Sequence, residues 1–124
     1  MKVVSGGERS DGPATRFTGQ VELEMLDLRP SDAEPDTALV HFHDGAVTNW
    51  HVHPGGQTLF VHAGEARVGT EADGEVALSP GALVVSPPGE RHWHGAAAAS
   101  DASVLAVTWG TTQWEDVAPE TSTG

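Results

Sequence analysis

Two histidine pairs define the chemistry open to this chain. His51 and His53 flank Val52, and His92 and His94 flank Trp93. Side chains alternate along a strand, so each pair presents two imidazoles on one face and sends the residue between them to the other. Gln57 follows His53 after a Pro54-Gly55-Gly56 turn, and a hairpin there returns its amide beside the first pair. Without cysteine the chain has no thiolate, so a metal ion must be held by nitrogen and oxygen. His51, His53 and His92 with the amide oxygen of Gln57 form such a set, and they leave positions open on an octahedral ion for water and substrate. A single H-x-H pair reads as polar residues on the solvent face of an edge strand. Two pairs bounded by glycine-containing turns point to one shared site.

An amide oxygen carries no charge, so an ion held this way keeps its full double positive charge, whereas a carboxylate ligand would neutralise part of it. The expected chemistry is that of a Lewis acid acting on a hydroxyl, carbonyl or enolate oxygen. His94 shares a face with His92 without being needed as a ligand, which makes it the general acid or base, or else a fifth ligand. His41 and His43 lie out of phase with Ala38, Val40 and Phe42, and His62 with Gln57, Leu59 and Val61. These three are expected on the outer surface or in a subunit contact.

Short strands must position these residues. Apolar residues recur with period two, and glycine or proline interrupts at Gly45, Pro54-Gly55-Gly56, Gly64, Gly69, Gly74, Pro80-Gly81, Pro87-Pro88-Gly89 and Gly95. That pattern predicts an all-β barrel or sandwich, with strands over 20–27, 37–43, 47–53, 58–63, 65–69, 75–78, 82–86, 92–97 and 104–109. No convincing amphipathic helix competes. Residues 1–14 and 115–124 are rich in glycine and polar residues and are expected to be loose or in subunit contacts around a core of about 15–114. Continued alternation would line the cavity around the ion with Ala38, Val40, Phe42, Leu59, Val61, Val104 and Ala106. Such a small apolar space suits a compact organic substrate better than a sugar or phosphate.

Length and composition narrow the function classes. The 124 residues fit one domain. Six basic against eighteen acidic residues leave a formal charge of -12, which repels phosphate backbones and anionic membrane surfaces and so argues against nucleic-acid and membrane partners. No apolar run is long enough to span a bilayer and the N-terminus lacks a secretory pattern, so a cytoplasmic location is expected.

With their flanking glycines these residues resemble the cupin superfamily, whose fold is a double-stranded β-helix, or jelly-roll, barrel. Its first motif, G-x5-H-x-H-x3,4-E-x6-G, is matched by Gly45, His51, His53, Gln57 and Gly64, with glutamine at the acidic position. Its second, G-x5-P-x-G-x2-H-x3-N, is matched by Gly81, Pro87, Gly89 and His92, with Ala96 where asparagine is usual. The stretches Phe17 to Val21, Trp50 to Leu59 and Pro88 to Ala96 are similar to small single-domain cupins with this glutamine, which include bacterial cupin hydroxynitrile lyases and carboxymuconolactone-decarboxylase-associated cupins. That resemblance implies manganese or another divalent ion (iron, zinc or nickel) on His51, His53, Gln57 and His92, with His94 close to the substrate. It also implies a homodimer or higher homo-oligomer. One departure bears on activity: those lyases carry a further histidine on the last core strand, where this chain has Val104.

Three functions follow as expectations. The first is a metal-dependent lyase or isomerase of small oxygenated compounds, and the second a metal-dependent dioxygenase at the same site. The third is a non-catalytic barrel that binds a small molecule. Polyketide ring closure is a related enzymatic possibility.

Overall fold

The computed structural model describes every residue except 30, 32 and 124. Its described residues contain strands and no helix, hence none long and apolar enough to cross a membrane. One sheet runs in the order β1 (Arg9–Asp11), β3 (Val21–Asp27), β4 (Asp36–Phe42), β12 (Ala102–Thr108), β7 (Gln57–Gly64) and β10 (Leu83–Ser86). The other runs β13 (Gln113–Trp114), β6 (His51–Val52), β11 (Arg91–Ala96), β5 (Val47–Thr48) and β2 (Phe17–Thr18). From β11 it extends through β8 (Ala66–Thr70) to β9 (Gly74–Leu78). All the pairings are antiparallel. The two sheets curl over a shared core as a double-stranded β-helix.

The first sheet shows why alternation is a dependable guide here. Leu23 and Met25 on β3, Ala38, Val40 and Phe42 on β4, and Leu59 and Val61 on β7 face inward with Val104 and Ala106 of β12. Their neighbours face out. On that outer face His41 lies between Ser103 Oγ (2.8 Å) and Glu24 Oε1 (3.0 Å), and His43 reaches Glu22 Oε1 (2.7 Å). Hydrogen bonds to these imidazoles hold both carboxyls below the usual glutamate range. The exposed His62 lies on the same strand as Val61.

Three differences from the sequence reading matter. Residues 9–11, within an arm expected to be loose or in subunit contacts, pair with β3 from Arg9↔Glu24 to Asp11↔Glu22. The C-terminal tail also packs: the Trp50 amide donates to Val117, and the carbonyl of Ser122 accepts from the buried Arg67 guanidinium. Finally, the strand expected over 47–53 is broken at Asn49 and Trp50. Its halves pair with the same strand as Val47↔Gly95 and His51↔His92, which leaves one extra residue on the broken side, the signature of a bulge.

Candidate metal centre

Burial concentrates at one place. His51, His53, Gln57, His92 and His94 are each no more than 5% exposed. His51 and His53 come from β6 and the turn that follows it, Gln57 opens β7, and His92 and His94 share the inner face of β11. The Pro54-Gly55-Gly56 turn closes by donation from the Gly56 amide to the His53 carbonyl at 3.0 Å, and the same carbonyl accepts from Gly89. Gly56 has a φ of +87° and Gly55 lies so close to Trp109 that a Cβ there would collide, so both positions require glycine. That tie brings both motif loops to one carbonyl.

The imidazoles are oriented by what their Nδ1 atoms touch. His51 Nδ1 lies 2.8 Å from the Asn49 carbonyl, which can only accept, so the proton is on Nδ1 and Nε2 is a bare lone pair. His92 Nδ1 lies 2.6 Å from Ser86 Oγ, and His53 Nδ1 lies 3.0 Å from Thr112 Oγ1. With the same tautomer, all three Nε2 lone pairs point at one space. His51 Nε2 and His92 Nε2 are 3.1 Å apart, close to the spacing of two ligands about 2.1 Å from an ion and at right angles to each other. Ligand atoms of His51, His53 and His92 all lie within 4.8 Å of one another, so these three could hold a metal ion.

The amide of Gln57 completes the fit. Its Nε2 donates to Thr108 Oγ1 at 2.9 Å, and its Oε1 is buried without a partner among the described residues, as is His53 Nε2. Buried polar atoms left without a partner are costly, and an ion held between these two would satisfy both. Burial keeps the imidazoles neutral: it lowers His51 to about 4, and with the neighbouring imidazoles it lowers His53 to about 3 and His92 to about 2. His94, fully enclosed, is also pushed well below the ordinary histidine value, by burial first. Neutral imidazole is the form a metal needs.

His94 stands slightly apart, its ring 5.5 Å from His51 and 5.6 Å from His92, with Nδ1 buried and without a partner among the described residues. Its backbone amide donates to Thr48 Oγ1. Thr48 was not singled out from sequence, because uninterrupted alternation from His51 gives it the opposite face. The bulge at 49–50 reverses the phase and turns Thr48 toward the site.

A cavity of about 570 Å³ opens over this cluster. Ala38, Val40 and Ala106 line it, whereas Phe42, Leu59, Val61 and Val104 lie in the closed core beneath. Alternation predicts the face of a residue but not its depth along the barrel, and these four occupy the filled end. The mouth is more polar than expected, with Arg16, Arg29, Ser31, Thr108, Thr111 and Thr112 on its walls. Trp114 of β13, also unanticipated, lies against His51 with ring centres 4.5 Å apart.

Residues 38–108, more than half of the chain, match the family described as the cupin domain. The chain is a cupin. Over 107 residues this cupin is 41% identical to the (R)-mandelonitrile lyase of Granulicella tundricola, an alignment covering 86% of this chain and 82% of that protein. Among solved structures it is similar to a cupin-like protein from Thermotoga maritima, with a TM-score of 0.83 and 30% identity over 94% of this chain and 90% of that one. An acetylacetone dioxygenase from Acinetobacter johnsonii gives a TM-score of 0.73 at 18% identity, over 86% and 70% of the two chains, a likeness of fold. The cupin is thus homologous to a hydroxynitrile lyase and has a three-histidine group able to take a metal.

Proposed function

We propose that this cupin is a metal-dependent lyase, or a closely related isomerase, acting on small oxygenated organic molecules. The observation that carries the reading is the convergence of three imidazole Nε2 atoms and the unpartnered Gln57 Oε1 at the floor of a cavity. His51, His53, Gln57 and His92 would hold a divalent ion, of which manganese is preferred on family resemblance. When bound, that ion supplies Lewis acidity without redox change, stabilising negative charge that develops on a substrate oxygen.

The chain's own residues supply the rest. His94 is neutral, lines the cavity and is held by Thr48, so it can accept a proton from a substrate hydroxyl and return it to the leaving fragment. Ala38, Val40 and Ala106 give the substrate a small apolar wall. Val104 stands in the closed core at the position where family resemblance implies a further histidine in the cupin hydroxynitrile lyases, so that base is missing and cyanohydrin cleavage is expected to be weak.

The experiment begins with tag-free protein loaded with manganese. Turnover of a panel of cyanohydrins, β-hydroxy carbonyl compounds and enolisable ketones is followed with and without oxygen. Metal-dependent, oxygen-independent cleavage or isomerisation supports the reading. Oxygen consumption with a diketone or phenol would replace it with the dioxygenase alternative, and metal binding without turnover by a barrel that only binds its ligand.

A further inference from the structure

The chain has only six cations, and five of them are paired with carboxylates: Lys2 with Asp27, Arg9 with Glu22 and Glu24, Arg29 with Asp27 and Glu34, Arg67 with Glu75, and Arg91 with Glu71 and Glu115. Arg16 is the exception. Among the described residues its guanidinium makes neither an ion pair nor a hydrogen bond, although acidic residues outnumber basic ones three to one. This exposed side chain lies at the wall of the cavity above the histidines.

Its position is built. The Arg16 carbonyl accepts from the Asn49 amide at 2.8 Å, and the Asn49 side chain donates to the neighbouring Thr15 carbonyl at 3.0 Å. Asn49 is also the residue whose carbonyl orients His51, so one residue anchors both the arginine loop and a metal-site imidazole. The guanidinium carbon lies 5.5 Å from the ring centre of Trp114, and the same indole packs on His51. An aromatic ring restrains a guanidinium while leaving its edge N–H donors free. Of the described acids at the mouth, Glu34 pairs with the Arg29 guanidinium and Asp36 accepts from the Arg29 backbone amide. Arg16 and Arg29 thus face Glu34 and Asp36 on this wall, and Arg16 is the cation there with no carboxylate partner among the described residues.

We propose that Arg16 is a specificity residue that binds a carboxylate of the substrate, which makes the substrate class a small organic acid bearing a hydroxyl or carbonyl oxygen within reach of the histidine cluster. This rests on the proposal that the cavity is the substrate site. Guanidinium suits the role because its planar donors match a carboxylate in pairs. Discrimination against a neutral isostere should be about ten- to a hundred-fold, the range of a charge-assisted hydrogen bond at a partly enclosed site.

The test uses acids of graded length, namely mandelate, 3-phenyllactate and 2-hydroxy-4-phenylbutyrate, each against its own primary amide. Affinities are measured by calorimetry on manganese-loaded and metal-free protein, with metal content determined on the same samples. At least one acid should bind about ten-fold or more tightly than its amide. Arg16→Gln should abolish that preference without altering amide affinity or the thermal midpoint, Arg16→Lys should restore part of it, and added salt should erode it in the parent protein. Equal affinity for acid and amide, binding of neither, or a preference that survives Arg16→Gln would each overturn the inference. Failure to take up manganese would defeat the metal reading instead, because the acid preference is also read on metal-free protein.

Discussion

His51 Nε2 faces His92 Nε2 across 3.1 Å while the Nδ1 of each is engaged elsewhere, by Asn49 and Ser86. With both Nε2 atoms unprotonated their lone pairs would repel and a cation between them would relieve it, and the pair is joined through the paired strands β6 and β11. One divalent ion per chain is therefore expected in tag-free protein, measurable by elemental analysis. His51→Ala and His92→Ala should each abolish uptake, and the metal-loaded parent should melt several degrees above the stripped protein.

The orientation of Gln57 depends on Thr108. Thr108→Val keeps the shape but removes the acceptor for Gln57 Nε2, so the amide is free to turn its oxygen away. Metal affinity should fall about 10- to 100-fold, the range for losing a group that orients a ligand, with little change in stability. Competition with a metal indicator would measure it, and an unchanged affinity would remove Gln57 from the ligand set.

Acid should destabilise the metal-free protein. In the unfolded chain the histidines take up protons near 6.5, whereas in the fold His51 does so only at about 4, His53 at about 3 and His92 at about 2. Between those values the unfolded state binds more protons, so stability is complete above pH 6.5 and declines as pH falls toward 4. The decline should appear as a falling urea midpoint between pH 7 and 5. His51→Asn should lessen its slope without removing it.

Replacing His94 separates binding from chemistry. His94→Ala should keep one ion per chain, because the converging set does not include it, and should slow turnover of whichever substrate is found by about 10² to 10⁴. Loss of the ion from this variant would make His94 a ligand.

Arg67 fastens the far side of the barrel. Its buried guanidinium donates to the carbonyls of Ala96, Gly45 and Ser122 and pairs with Glu75, and it lies 5.8 Å from the Trp93 ring centre. Arg67→Met would leave those carbonyls without a donor and should lower stability by about 2–4 kcal/mol in urea denaturation. Metal stoichiometry should be unaffected.

Much of the site was determined by local order along the chain. H-x-H on a strand places two imidazoles on one face whatever the surroundings, and Pro54-Gly55-Gly56 makes a turn that returns Gln57 beside them, so the clustering of these side chains could be read from spacing. The outward faces of His41, His43 and His62 followed from the same period of two. Depth did not, because alternation repeats identically from the open mouth to the filled end; hence Phe42, Leu59, Val61 and Val104 belong to the closed core and not to the cavity wall. The bulge at Asn49 and Trp50 adds one residue that no composition marks, and it alone turns Thr48 inward toward His94. Trp114 and Arg16 reach the cluster from opposite ends of the chain, through pairings of β13 with β6 and of β2 with β5. Such meetings arise when the two sheets close over a common core, since closure brings together residues with no periodic relation in the sequence.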